Sequence, residues 1–377
     1  MLRNTTASGV STIERRASRI GDPVERLRYL REATRPPVRA ASRPSWKRLA
    51  PLGLAFVVIS LGSVANLSVP LKGVPRLAAA AKKTVSAPPA AEVWQVDQNS
   101  QFELYSNGLR IERRFEVAHE PRLYPLIARD SSRSTGALRS QPAGIVFHTT
   151  ESDQAPFEPG QNRQLNRIGQ ELLLYVRQKR AYHYVIDRFG RVFRVVAESD
   201  TANHAGHSVW ADDNWLYLDL NASFLGVAFE ARTHTDEQPI NQAQLHAART
   251  LVDMLRGKYN LPPRNCVTHA QVSVNPDSMR IGWHTDWGTG FPYKELDLPD
   301  NYEYPNPAIA LFGFEYDDTY RNSTSPPLWQ GLARAEDQLR ESAVRRGVGI
   351  GEYRRILRNK YRETISSLRQ RSVLQEN

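Results

Sequence analysis

Between Gly144 and His269 the sequence switches repeatedly between strand-like and helix-like patterning, and that alternation constrains the fold more than any other feature of the chain. GIVFHTT (144–150) is a short apolar run ending in polar residues, the pattern of a buried strand. Leu165, Ile168, Leu172, Leu173 and Val176 then fall on one face of a helix predicted between Asn162 and Arg180. YHYVIDRFGRVFRVV reads as two strands around a tight turn at Phe189-Gly190, and FLGVAFEA as a further strand. A second amphipathic helix is expected from Asn241 to Tyr259, with Asn241 and Gln244 as a capping pair and Leu245, Leu251, Val252 and Leu255 on its buried side. It leads into a strand at NCVTH. Strands and helices in this order predict an α/β fold with one central mixed sheet flanked by helices.

The flanks are read separately. Alternation from Val93 to Val117 around Asn107-Gly108 predicts a small β-hairpin, and the Ser- and Arg-rich stretch 130–141 a surface loop. Beyond Phe314 a linker runs into a helical, basic tail from Leu332 to Arg371, interrupted near 347–351 and expected to be solvated. At the other end, the run 49–71 carries no charge and is long enough for a transmembrane helix, which needs about 20 residues. Ahead of it residues 1–48 hold twelve Arg or Lys against four Asp or Glu, which predicts a cytoplasmic arm and export of the rest across the inner membrane. Signal cleavage after Ser63-Val64-Ala65, giving a secreted protein, is the alternative. The expected organisation is therefore an arm at 1–48, an anchor at 49–71, a linker at 72–92, a hairpin extension at 93–140, a catalytic domain at 141–313, and a linker with helical tail at 314–377. Much of the net charge of +10 sits in the arm and tail, so it does not imply a nucleic-acid partner. The single cysteine, Cys266, excludes an intramolecular disulfide and a multi-cysteine metal site, which leaves His and carboxylates as metal ligands.

Three such residues fall at strand ends or in the loops after them: His148, His269 and Asp286. Catalytic zinc sites use three protein ligands of this kind and leave a fourth position open. Taken singly, each has an ordinary structural explanation, and the long spacing between His148 and His269 does not decide the matter. The ordered motifs say more. IVFHTT with His148, the hairpin YHYVIDRFGRVF, Asn203-His204-Ala205-Gly206, the Asn221 to Gly226 segment, His269 after a helix, and Asp286 before Gly288 and Phe291 follow one another as in a known group of enzymes. The stretch from about Gly144 to Tyr293 resembles the zinc-dependent N-acetylmuramoyl-L-alanine amidases of the second type, whose fold is shared by phage amidase lysozymes and peptidoglycan recognition proteins.

That resemblance implies a zinc ion on His148, His269 and Asp286, and hydrolysis of the bond between N-acetylmuramic acid and L-alanine in peptidoglycan or muropeptides. It also implies Tyr182 as the catalytic partner. Many bacterial relatives place a Glu where this chain has Ala228; Glu230, two residues on, is the fallback. His284 falls where relatives carry an oxyanion-stabilising Lys, and it is itself a possible ligand. His204 and Asn221 are expected to bind substrate, while His183 is expected to point to the sheet face opposite Tyr182 and to play no part. The alternative function is membrane-anchored recognition of peptidoglycan without hydrolysis, as in relatives that have lost a ligand.

Overall fold

A computed structural model describes residues 92–232 and 239–375. Its strands, in chain order, begin with β1 (Gln95–Gln98), β2 (Phe102–Tyr105), β3 (Arg110–Glu112), β4 (Tyr124–Ala128), β5 (Arg133–Arg139) and β6 (Gly144–Thr149). Helix α1 (Asn162–Lys179) follows, then β7 (Tyr184–Ile186), β8 (Val192–Arg194), β9 (Val209–Ala211), β10 (Trp215–Leu218) and β11 (Phe224–Phe229). Helix α2 (Gln242–Tyr259) leads to β12 (Cys266–Thr268), and the chain closes with helices α3 (Pro307–Phe312), α4 (Pro326–Arg345) and α5 (Ile350–Gln375).

Eight strands form the central sheet in the order β1-β2-β3-β8-β7-β11-β6-β12. Strand β11 runs parallel to both β6 and β7, and β12 parallel to β6, whereas β7 and β8 form an antiparallel hairpin. The sheet is therefore mixed. Strands β6 and β11 are buried along their whole length because both faces are covered. Ile145 and Phe147 face a core that includes Leu251, Val252 and Leu255 of α2, while Val146 belongs to a second cluster on the other face. Helix α1 packs Leu172, Leu173 and Val176 against Val185, Phe193 and Val195. The Asn241/Gln244 capping box is present at the start of α2, where each side chain meets the other residue's backbone N–H.

Three flanking segments differ from expectation. The β2–β3 hairpin, turned at Gly108 with φ +83°, is not a separate extension but part of the central sheet, because β3 pairs in parallel with β8 and β1 forms the edge beyond β2. The stretch read as a loop holds β5, a mostly exposed strand in a four-stranded antiparallel sheet, order β5-β4-β10-β9. Helices α4 and α5 are not a solvated tail, since Leu328, Leu332, Leu339, Tyr353, Leu357 and Tyr361 are buried in the main core.

One part of the expected fold is corrected. No helix among the described residues is long and apolar enough to cross a membrane. The long ones are amphipathic, α1 for instance carrying Arg163, Arg167, Glu171 and Lys179 outside its buried stripe. The expected membrane helix at 49–71 lies outside the described residues. The described residues form a mixed α/β fold with helices, and none of these helices is a membrane span.

Candidate metal centre

Parallel strands bring their C-terminal ends to one edge of a sheet, the usual place for a site in α/β proteins. His148 is the fifth residue of β6, and Thr268 of β12 pairs with Phe147, which puts His269 level with His148. His269 opens a one-turn helix, His269–Val272, whose start is held by a Thr268/Gln271 capping box. Asp286 arrives from a later loop. Its carbonyl accepts a hydrogen bond from Ala270 N at 3.1 Å, and the neighbouring Trp287, fully buried against Phe229 and Phe291, anchors the segment. One ligand atom from each of His148, His269 and Asp286 lies within 4.8 Å of the other two, so these three residues can hold a metal ion.

The hydrogen bonds specify which atoms. His204 Nε2 lies 3.2 Å from the carbonyl oxygen of Phe224, which only accepts, so Nε2 carries the proton. Burial drives the His204 pKa well below its ordinary value, so the ring is neutral and its Nδ1 is an acceptor. That Nδ1 faces His148 Nε2 at 3.1 Å, which must therefore donate. Burial also pushes the His148 pKa down to about 4, and the neutral ring is left with a lone pair on Nδ1. This lone pair points at Asp286 Oδ2, 3.1 Å away, while His269 Nδ1 lies 2.9 Å from the other oxygen, Oδ1. Burial alone would raise the Asp286 carboxyl, but the adjoining His269 outweighs it and holds it well below the usual range. Two acceptors facing each other at hydrogen-bond distance are stable with a cation between them. Two imidazoles and one carboxylate, each offering a ligand atom within 4.8 Å of the other two, are a donor set that suits zinc.

The remaining expected residues divide between the site and its supports. Tyr182 lies against His148, ring centroids 5.0 Å apart. Its φ of +59° is unusual for a bulky residue, and burial raises its hydroxyl pKa, so it stays protonated and can donate. His284 is exposed and stacks on His269 at 4.6 Å, with its backbone N bonded to Ser273 Oγ. His204 and Asn221, expected at the substrate, are hydrogen-bonded into the support of His148. His204 is buried with both ring nitrogens engaged, and Asn221 Oδ1 accepts from the backbone N of His204 and Ala205 at 2.9 and 2.7 Å. Glu230 accepts from Arg188 N and lies under Gly169 of α1; among the described residues it has no hydrogen bond to the triad.

His183 also departs from expectation. The positive φ at Tyr182 breaks strand alternation just before β7, so the His183 ring is not turned to the opposite face but lies 5.6 Å from that of His204, with Nδ1 accepting from Gly226 N. Reasoning from sequence missed Arg122 altogether. Its guanidinium is buried and donates to the carbonyls of Phe224, Glu198, Asp200 and Ala222, so it fixes the same Phe224 carbonyl that orients His204. A lone Arg in an irregular segment carries no signal that would have revealed it.

Residues 138–289 match the family described as N-acetylmuramoyl-L-alanine amidase, so the expected family likeness is borne out over that stretch. No match was found among curated proteins. Among solved structures, the chain is similar to AmpDh3 from Pseudomonas aeruginosa in complex with anhydromuramic pentapeptide, at 25% identity over 44% of this chain and 62% of that one, with a TM-score of 0.32. It is also similar to the N-acetylmuramoyl-L-alanine amidase LysC from Clostridium intestinale, at 19% identity over 49% of this chain and 93% of that one, TM-score 0.28. A third is AmiD from E. coli in complex with anhydro-N-acetylmuramic acid-L-Ala-D-γ-Glu-L-Lys, at 19% identity over 54% of this chain and 91% of that one, TM-score 0.35. The chain thus spans less than two thirds of the length of AmpDh3.

Proposed function

We propose that this chain, whose residues 138–289 form a domain of the N-acetylmuramoyl-L-alanine amidase family, hydrolyses the amide bond between N-acetylmuramic acid and L-alanine in peptidoglycan with the help of zinc. The observation that carries the reading is the meeting of His148 Nδ1, His269 Nδ1 and the Asp286 carboxylate within that domain. Neutral imidazoles and one carboxylate are the donors zinc takes in catalytic sites. A zinc ion held there would lower the pKa of a water toward about 7 and polarise the scissile carbonyl.

The side chains around the triad supply the rest. Tyr182, kept protonated by burial and pressed against His148, donates a hydrogen bond to the carbonyl oxygen as it gains negative charge. His284, exposed beside His269, offers a second ring donor to the same oxygen. Ala228, the β11 partner of His148, brings no carboxylate to the place where many relatives have one, so proton handling rests on Tyr182. His204, Asn221 and Arg122 hold His148 in its working tautomer.

Purified peptidoglycan digested with the wild-type chain and with Asp286→Ala tests the reading. Mass analysis should find peptides with a free L-alanine amine from the wild type and none from the variant. Release of disaccharide-peptides by glycan cleavage, or equal digestion by the variant, would refute it.

A further inference from the structure

Away from the triad, a cleft of about 650 Å³ opens between the turn after β4 and helices α3, α4 and α5. That volume lies within the usual range of small-ligand sites, about 300–1,000 Å³. Four cations line it: Arg129 from the turn, Arg345 and Arg346 at the end of α4, and Lys360 from α5. Asp130 is the one acid among the lining residues, and half-buried Leu311 and Ile356 give the cleft an apolar floor.

Much of this charge is not neutralised among the described residues. Arg129 is 3.9 Å from Asp213, and Arg345 is 3.6 Å from Glu341 with both of the latter side chains largely exposed. Neither Arg346 nor Lys360 has an ion pair among the described residues; Arg346 lies over the Tyr353 ring at 5.4 Å, and Lys360 only 5.9 Å from the Phe312 ring centroid. The two arginines can be explained by the carbonyl end of α4, which favours positive charge. Lys360 stands mid-helix and has no such explanation. It is half-buried, and burial together with Arg346 lowers its pKa against the opposing pull of Asp130, so its ammonium is held at a cost that Asp130 offsets only in part and an anion in the cleft would offset further.

We propose that this cleft binds the carboxylates of a peptidoglycan stem peptide, giving the chain a hold on its polymer separate from the metal centre; the proposal rests on the function inferred above. Amino-acid carboxylates sit beside aliphatic side chains, and a cationic rim over an apolar floor suits that mixture. A bare phosphate polymer would leave Leu311 and Ile356 without partners. None of the cleft's lining residues belongs to the triad or to its hydrogen-bonded supports.

The test is cosedimentation of the full chain, carrying Asp286→Ala to prevent turnover, with purified peptidoglycan. Adding Arg346→Gln and Lys360→Gln should raise the apparent Kd about tenfold or more, as expected for lost charge-assisted contacts. Converting the stem carboxylates to amides should weaken the parent chain similarly and the Gln variant little further. Unchanged thermal midpoints will show that the substitutions leave the fold intact. Equal binding by parent and Gln variant, or equal binding of amidated polymer, overturns the proposal. So does tighter binding of inorganic polyphosphate than of peptidoglycan through the same two residues. The two readings fail separately: a chain with Asp286 intact that leaves the polymer uncut refutes the amidase, while binding that depends on Lys360 and on carboxylates still supports the cleft.

Discussion

His204→Ala should weaken zinc binding although residue 204 is not a ligand, and the size of the loss follows from one hydrogen bond. In the intact protein the Phe224 carbonyl takes the His204 Nε2 proton, His204 Nδ1 takes the His148 Nε2 proton, and the His148 lone pair is left facing Asp286. Removing the ring leaves a buried N–H on His148 without an acceptor, at a cost of about 1–3 kcal/mol. The alternative is a tautomer change that puts the proton where the metal should bind. Loss of such an outer partner typically lowers metal affinity about 10- to 100-fold, or about 1.4 to 2.7 kcal/mol. Competition of the purified protein with a chromophoric chelator measures this directly. His204→Gln, which keeps a carbonyl acceptor, should recover part of the loss, and nitrogen NMR should show the His148 proton on Nε2 in the wild type. If His204→Ala holds zinc within twofold of wild type, the relay does not set the ligand and the argument fails.

Tyr182→Phe keeps the ring against His148 but removes the donor, so zinc affinity should stay within twofold while kcat on muropeptides falls about 100-fold; an unchanged kcat would remove Tyr182 from the chemistry. Gly226→Ala would put a methyl 2.6 Å from His204 Cγ, and chelator competition together with thermal unfolding should show weakened zinc binding and a loss of about 1–3 kcal/mol. Burial raises the Glu230 pKa from 4.5 to about 7, with Asp187 adding to the rise and Arg188 and Arg191 opposing it. The folded state then binds the extra proton, so stability is full below about pH 4.5 and declines by about 3 kcal/mol as pH rises through 7. Glu230→Gln should abolish that slope in denaturant titrations at pH 5 and 8, and an unaltered slope would show that Glu230 is not its source.

How much of this was legible in the sequence depends on the length and regularity of each segment. β6 and β11 are readable as unbroken apolar runs, and α1 and α2 because their apolar residues keep a helical period over several turns. The strands Val209–Ala211 and Trp215–Leu218 are too short to establish a period, and β5 is so exposed that its Ser and Arg content reads as a loop. In α4 the stripe Leu328, Leu332, Ala335, Leu339 is present at helical spacing, although the tail's basic charge suggests a solvated helix. Charge says which face meets water and leaves open whether the other face is buried.

The site itself divides along the same line. His148 and His269 are legible because they stand at the ends of strands whose place in the sheet can be anticipated, while Asp286, in a loop, is legible only by its place before Gly288 and Phe291 in the ordered motifs. Their supports are not, because they act through backbone geometry that residue types do not encode. Alternation turns His183 away from Tyr182 only if the backbone between them stays extended, and a φ of +59° at Tyr182 removes that premise. The same strained residue presses its own ring on His148 and sends the His183 ring beneath His204, so one departure from regular strand geometry builds both the donor and the support under the ligand. A local rule therefore fails at the residue where the proposed chemistry most needs an irregular backbone, and that failure marks the site more sharply than any single motif does.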